Sequence, residues 1–445
     1  MLPARFRFAL LALVSAALLG CGAEPPPTQT QVGPQRVEVW LPPVREGAAQ
    51  PDLSVAPDGR LLLSWISKPP GRRPALQIAE YSPDGRWDQP RTVAVGNSLF
   101  VNWADTPHVV ATADRAIWVH WLQKSADAPY AYDIKLVRSL DHGMNWSAPR
   151  TVHDDATTTE HGFVAFWPQS ENSIGAVWLD GRNTASTGAG GHDGHDTQSA
   201  HDAHDTPGGA MTLRGAVFDA QLTPSMNAEL DARTCDCCQT AAAATGNGAL
   251  VVYRDRSEKE IRDIYAVRFD GKAWSPPVRV HADDWTMPGC PVNGPSVAAR
   301  GQRAVVAWYT GANDRPAVKL ALSSDGGARF ADPLVVDEGP AVLGRVAVAM
   351  DAGQVWLLWM REEAGRQSLW LARYAPDLGK RFTKIELAKI EGKGRATGFP
   401  KIALRDDAAY VVWTDADETG PNLRGLRLSA ATAAETAKAL QAAAR

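Results

Sequence analysis

Apolar and polar residues alternate in short runs along most of the chain, and seven of these runs end in an aromatic residue. Alternation with a period of two predicts β-strands that bury one face. The aromatic ends are Trp65, Trp121, Trp178, Tyr253, Trp308, Trp359 and Trp413. They lie 51 to 57 residues apart, except for one gap of 75 residues after the third. The chain is therefore predicted to repeat one structural unit about seven times.

Each unit contains more than the aromatic-ended run. A shorter strand-like segment precedes the run, and a third and usually a fourth strand follow it. Units of about fifty residues with four short strands predict the blades of a β-propeller. We predict an all-β propeller over 36–430 with seven blades, six being the alternative count and a long open sandwich the alternative architecture. The N-terminal "QRVEVWLPP" is predicted to supply the missing fourth strand of the last unit and so close the ring.

A second pattern marks the predicted turns between third and fourth strands. "SLDHGMNW" (139–146) and "SSDGGARF" (323–330) both fit Ser-x-Asp-x-Gly-x-x-aromatic, and three looser versions occur elsewhere. In such a hairpin the Asp accepts backbone N–H bonds, the Gly takes a positive φ and the aromatic ring packs underneath. The pattern resembles the Asp-box of the sialidase-type, or BNR-repeat, propellers. The resemblance covers about residues 36–430 and implies a sialidase-like fold, whereas the boxes themselves carry no chemistry.

Resemblance to sialidases raises the question of catalysis. Sialidases use a Tyr nucleophile with a carboxylate helper, an Asp acid and three arginines that grip the substrate carboxylate. The Arg-Ile-Pro stretch typical of that family is missing from the first unit, and seven blades differ from the usual six. The loops that a propeller gathers at one end of its channel nevertheless carry charged residues. The candidate ligand-binding residues are Arg182, Arg254, Arg256 and Arg345, and the candidate catalytic residues are Asp105, Glu160, Asp180 and Tyr265. Salt bridges between blades are the alternative role for these side chains.

The first 20 residues predict export. Arg5 and Arg7 precede an apolar run over 8–19 that is too short to span a membrane, as in a signal peptide. Leu18-Leu19-Gly20-Cys21 resembles the bacterial lipobox, which implies that Cys21 is lipidated. Gly22, in place of the Asp that retains such lipoproteins at the inner membrane, implies an anchor in the outer membrane, on its periplasmic or surface face. Residues 21–35 are predicted to form a tether, and the Ala-rich 431–445 a terminal helix.

Charge limits the range of partners. The chain has 46 Lys and Arg against 50 Asp and Glu, and removal of residues 1–20 leaves 44 against 50. A net charge near −6 argues against nucleic acid as a partner. Beyond the signal peptide, the sequence contains no apolar run long enough to span a membrane, so we predict a monomer held to the membrane by its lipid alone.

Four cysteines remain after Cys21, and they are unevenly distributed. Three of them lie in the "CDCC" stretch, and the set is Cys235, Cys237, Cys238 and Cys290. An even number in an exported protein suggests two disulfides. Adjacent α-carbons lie only about 3.8 Å apart, so the least strained pairing joins the first cysteine to the third and the second to the fourth. The rival interpretation is a soft-metal site for copper or zinc, with His161 or His108 as a further ligand. A reactive thiol is a third possibility.

A His-rich insertion over 184–210 explains the one long gap between units. Each of its four histidines precedes an Asp, and they are His192, His195, His201 and His204. Such a tract suits weak capture of zinc or copper, and a solvated low-complexity loop is the alternative.

The segments "EHGF", "LDGR", "CDCC" and "CPVNGP" together resemble a subset of BNR-repeat lipoproteins that are called sialidase-like by their fold. The prediction is an exported sialidase-like propeller that binds an acidic glycan or a soft metal ion at the channel mouth. An exo-α-sialidase-type glycoside hydrolase is the alternative.

Overall fold

The described residues, 35–185, 209–418 and 420–430 of a computed structural model, form seven antiparallel four-stranded sheets. The first three blades are β2 to β5 (Ala48–Val55, Leu61–Ser67, Ala75–Tyr81, Arg91–Val95), β6 to β9 (Val109–Ala111, Ile117–Lys124, Tyr132–Ser139, Arg150–Thr151) and β10 to β13 (His161–Pro168, Ile174–Asp180, Thr212–Phe218, Pro224–Asp231). The next three are β14 to β17 (Ala241–Thr245, Gly248–Arg254, Ile264–Phe269, Val278–Arg279), β18 to β21 (Ser296–Arg300, Arg303–Thr310, Ala317–Ser323, Leu334–Glu338) and β22 to β25 (Val342–Met350, Val355–Glu363, Arg366–Tyr374, Arg381–Ile390). Three short 3₁₀ helices cover Arg182–Thr184, Ala312–Asp314 and Gly394–Thr397.

The seventh blade joins the two ends of the chain, as the sequence predicts. Its strands are β26 (Lys401–Arg405), β27 (Ala408–Asp417), β28 (Gly420–Ala430) and, outermost, β1 (Gln35–Val39). β1 pairs antiparallel with β28 along all five of its residues. The pairing covers the open side of β28, whose N–H and C=O groups would otherwise lack partners.

The cores lie between successive blades and contain the aromatic ends of the second strands. All seven of these aromatic residues are buried, and Trp178 and Trp359 have no exposed surface. Each second strand is flanked by two strands of its own sheet, and both of its faces meet neighbouring blades. This explains why β3 and β11 are buried along their whole length.

Both full Asp-boxes form the predicted turn. In the first, Asp141 Oδ1 accepts N–H of Asn145 at 2.9 Å, and Ser139 Oγ accepts N–H of Gly143 at 2.9 Å. In the second, Asp325 Oδ1 accepts N–H of Arg329 at 3.0 Å. Gly143 has φ +78°, which a side chain rarely adopts. The boxes thus stabilise the hairpin turns between the third and fourth strands of their blades.

Several predictions fall outside the described residues. These are the signal peptide, Cys21 and the tether, the four histidines of the insertion, and the helix over 431–445. Within the described part of the chain, no helix combines the length and apolar character needed to cross a membrane.

Candidate metal centre

The loops after the second strands and the loops before the first strands lie at the same end of the ring, because the strands of each blade are antiparallel. First-strand residues from several blades surround a central cavity of about 260 Å³. Its lining includes Asp52, His108, Thr240, Ser296 and Lys401. These loops meet at one end of the cavity, and we call that end the channel mouth.

The four cysteines come together at this mouth. Cys235 Sγ lies 3.2 Å from Cys238 Sγ and 3.9 Å from Cys237 Sγ. Cys290, from the loop before β18, contacts Cys237 through its side chain. The structure contains all four as free thiols. In space, Cys235, Cys237 and Cys238 form one cluster of sulfur atoms, and Cys290 contacts this cluster through Cys237.

Backbone contacts fix the position of this cluster. Cys235 N–H donates to Arg254 O at the end of β15, at 3.0 Å. The preceding Thr234 forms an isolated bridge with Asp255. The cysteine loop is therefore attached to the second strand of the blade that it leads into.

Two buried arginines make the surroundings of Cys235 electropositive. Arg262 Nη1 donates to Cys235 Sγ at 3.2 Å. Burial opposes ionisation, but hydrogen bonding with Cys237 and Cys238 and the charges of Arg262 and Arg254 hold the pKa of Cys235 well below its ordinary value. Burial raises the pKa of Cys237 and of Cys238. The cluster thus stabilises one thiolate, next to two protonated thiols.

Arg254 is 2% exposed and serves the protein itself. Its guanidinium donates to Asn293 O at 2.7 and 3.1 Å, to Tyr309 O at 2.8 Å and to Arg262 O at 2.5 Å. It also stacks over the Trp285 ring, 5.0 Å from the centroid. These contacts hold the loops of blades 4 and 5 together and leave Arg254 little capacity to grip a ligand.

The other candidate arginines are also engaged. Arg345 Nη1 donates to Thr397 Oγ1 at 2.7 Å, and burial lowers the pKa of Arg345 to about 10. Arg182 binds both carboxylate oxygens of Asp180, at 2.8 and 2.9 Å. Arg256 bridges Glu260 and Asp236. The structure therefore directs these guanidinium groups to protein acceptors and not to one shared substrate carboxylate.

Two of the candidate acids meet around a tyrosine that the sequence did not single out. Tyr132 OH donates to Glu160 Oε1 at 2.6 Å and lies 3.5 Å from Asp105 Oδ2. Burial is the main reason why the pKa values of Asp105 and Tyr132 are both raised well above normal. Tyr132 has no exposed surface and stacks on Phe100 at 4.1 Å, so its hydroxyl cannot reach a substrate without rearrangement.

The remaining candidates lie elsewhere. His161 belongs to a separate buried group, with Nε2 3.2 Å from Asp155 and 3.6 Å from Asp180 and with its ring stacked on His153 at 3.6 Å. His108 lies in the channel and pairs with Asp52. Neither histidine is grouped with the sulfur atoms. Tyr265, on β16, is held beside Tyr253 and is not part of the Asp105–Glu160 group.

A pocket of about 300 Å³ opens beside the cysteines. Tyr130, Glu160, Asp236 and Arg256 contribute its polar lining. The Tyr130 hydroxyl is influenced by Cys290 and Cys237, because burial, Glu160 and these two thiols raise its pKa. The pocket therefore lies close to Cys237 and Cys290.

Asp255, at the base of the cysteine loop, predicts a pH effect on stability. Burial, then the charges of Asp231 and Asp263, raise the pKa of Asp255 to about 7 in the fold, against roughly 3.9 in an unfolded chain. The folded state therefore favours the protonated acid, and stability falls as pH rises between these two values. We expect Asp255→Asn to stabilise the protein by about 1–2 kcal/mol at pH 8 and by less at pH 5. The gain is smaller than the full pKa difference implies, because solvent screens a half-buried group. Urea unfolding at pH 5 and pH 8 measures the gain in unfolding free energy, with the Asn variant of the exposed Asp314 as control. Equal gains at the two pH values would contradict a raised pKa for Asp255.

No family model matches the chain, and no curated protein matches it. Solved structures do match. The polysaccharide lyase Uly1 is 8% identical over 86% of this chain and 90% of its own, with a TM-score of 0.50. A protein of unknown function from Dyadobacter fermentans is 15% identical over 86% and 95%, with a TM-score of 0.48. A mutant of the NanB sialidase from Streptococcus pneumoniae is 8% identical over 83% of both chains, with a TM-score of 0.44. At these identities the likeness concerns the fold alone.

Proposed function

We propose that this propeller binds one thiophilic metal ion, Cu(I) or Zn(II), at its channel mouth, with Cys235, Cys237, Cys238 and Cys290 as the ligands. The observation that carries the proposal is the position of three Sγ atoms within 4.8 Å of one another. A tetrahedral ion with metal–sulfur bonds of about 2.3 Å separates its sulfur ligands by roughly 3.8 Å. The separations of 3.2 and 3.9 Å lie close to that value, so small side-chain shifts suffice for coordination.

Charge supports the same proposal. Four thiolates around Zn(II), or three around Cu(I), leave a net charge of about −2. A buried charge of that size needs compensation close by. Arg262, which contacts Cys235, and Arg254, whose hydrogen bonds go to carbonyl groups, supply two buried positive charges. Two buried positive charges suit an anionic metal–thiolate complex better than a metal-free cluster with a single thiolate.

The site also has an approach from solvent. Cys237 and Cys290 are only partly buried. Both raise the pKa of Tyr130, which lines the pocket of about 300 Å³ beside the cysteines. An ion can therefore reach the outer two sulfur atoms first and the buried Cys235 and Cys238 afterwards. An accessible path of this kind is expected of a site that exchanges its metal.

Native mass spectrometry of residues 22–445, exported to the periplasm and never exposed to reductant or chelator, tests the proposal. We expect a mass raised by bound copper or zinc, and the loss of one ion in a Cys235→Ser, Cys238→Ser double variant. Tyr130→Phe, which changes the adjacent pocket and no sulfur, is the matched control and is expected to keep the ion. A mass about four daltons below that of the reduced apoprotein would mean two disulfides and would overturn the metal site.

A sialidase-type glycoside hydrolase is the alternative function, and the contact of Tyr132 with Glu160 is the observation in its favour. The complete burial of Tyr132 opposes it. Turnover of a fluorogenic sialoside that disappears in Glu160→Gln would favour the hydrolase over the binding protein.

The proposal includes the predicted location. A lipid on Cys21 would hold the propeller at the outer membrane, where it would meet metal ions outside the cytoplasm. Retention of a Cys21→Ser variant in the membrane fraction would contradict this anchor.

A further inference from the structure

A pair of histidines adjoins the channel cavity, away from the cysteine cluster. His120 lies on β7, and its N–H donates to the carbonyl of His108, which directly precedes β6. The two residues therefore face each other across neighbouring strands. Their ring centroids are 5.5 Å apart, with the ring planes tilted by 34°. His108 lines the cavity, as does Phe166, whose ring meets His120 edge-on.

His108 is held in one orientation by a carboxylate. Its Nδ1 lies 3.0 Å from Asp52 Oδ1, and Lys401 Nζ lies 3.2 Å from the same oxygen. The Val109 N–H donates to the other carboxylate oxygen at 3.0 Å. A carboxylate that accepts the Nδ1 proton leaves the Nε2 lone pair of the ring available, which is the arrangement commonly found behind metal-binding histidines.

His120 is a buried polar group with a missing partner. The residue has no exposed surface, and neither ring nitrogen has a hydrogen-bond partner among the described residues. Burial lowers the pKa of His120 well below its ordinary value, so the ring is neutral. An unpartnered buried polar group of this kind costs free energy, and a bound ion or water would remove that cost.

We propose that His108 and His120 form a second metal site, for Cu(I), beside the channel cavity. With metal–nitrogen bonds of about 2.0 Å, two imidazole ligands place their ring centroids roughly 5.2 Å apart at a tetrahedral angle and roughly 6.4 Å apart in a linear arrangement. The observed 5.5 Å lies within that range. Imidazole suits copper, and because Asp52 and Lys401 neutralise each other, a monovalent ion is preferred to a divalent one.

The cavity also reaches the loops that carry the cysteines. Gln239, which directly follows Cys238, lines the same cavity as His108, and so does Gly294. Gln239 Oε1 accepts the N–H of Gly294 at 3.0 Å, which joins the loops that carry Cys238 and Cys290 at the cavity wall. The histidine site does not require the cysteine site, so each can fail alone.

Anaerobic Cu(I) titration against a competing chelator tests the inference. We expect two equivalents in the wild-type protein and one in His120→Asn and in His108→Asn, whose affinity for the second ion should fall at least 100-fold. Asp52→Asn, which removes only the orienting carboxylate, should weaken the second ion by about 10- to 100-fold. His142→Asn is the matched control, because His142 pairs with Glu80 at the surface, and it should retain both ions.

X-ray absorption at the copper edge identifies the ligands. In a variant with all four cysteines changed to Ser, we expect one Cu(I) with nitrogen neighbours and no sulfur. A single sulfur-bound equivalent in the wild type, unchanged in both histidine variants, would overturn the second site while leaving the first intact. Two equivalents that both disappear in the cysteine variant would also overturn it. Thermal unfolding of each variant distinguishes loss of ligand from loss of fold, and the partly exposed His108 provides the less disruptive substitution.

Discussion

The free energy of unfolding is expected to fall by roughly 3–5 kcal/mol in the Arg254→Ala variant, although the sequence makes Arg254 a candidate for substrate binding. The substitution removes the donor shared by three main-chain carbonyls, those of Arg262, Asn293 and Tyr309. A buried acceptor left without a partner costs about 1–3 kcal/mol. The lost packing against Trp285 adds to this. Urea unfolding should show a lower midpoint for Arg254→Ala than for the wild type.

Substitution of the exposed Arg72 by Ala is the control for Arg254→Ala and should change stability by less than about 0.5 kcal/mol. If Arg254→Ala unfolds like the wild type and instead loses affinity for an anionic ligand, the role assigned to the residue here is wrong. That result would restore Arg254 as a ligand-gripping side chain and with it the sialidase-type interpretation.

Removal of the closing strand is expected to have the second large effect. A chain that begins at residue 42 lacks β1, which pairs with β28, and Trp40, which is 5% exposed and packs on Tyr81 and Tyr410. Loss of a buried Trp alone costs about 3–5 kcal/mol. The exposed edge of β28 should also promote association between molecules. Calorimetry should show a melting temperature many degrees lower, and light scattering should detect aggregates.

The control for this truncation is a chain that begins at residue 34, which keeps β1 and Trp40 and should melt like the longer protein. Equal melting temperatures for the two truncations would show that the ring does not depend on β1 for closure. Partial rescue of the shorter chain by an added peptide of sequence QRVEVWL would support the pairing directly.

The fold was largely predictable because its signals are local. Each second strand is a short alternating run ending in a large aromatic residue, and the spacing of Trp308 and Trp359 directly gives the size of a blade. The Asp-box turns are also local, since Asp141 and Gly143 act within one hairpin. The closing strand required one further argument, that a ring of blades leaves no unpaired edge.

The site was less predictable because its contacts join distant segments. The sequence shows that Arg254 is charged and predicts its position near the channel mouth. It does not show that the Arg254 guanidinium donates its hydrogen bonds to the carbonyls of residues 293 and 309. Tyr132 and Glu160 come from two different blades, and only the spatial arrangement places them in contact. The position of Cys290 beside Cys237 was predictable as one possible pairing, because both precede first strands of neighbouring blades.

The ends of the long insertion in blade 3 meet. Gly209 N–H donates to Asn183 O at 2.6 Å, so the chain leaves the blade and returns to it at almost the same point. A connection with adjacent ends costs little additional entropy as it lengthens. The intervening segment can therefore be exchanged without changing the blade. This makes positions 186–208 a graft point for a reporter domain, beside the pocket that Thr184 and Gly209 help to line.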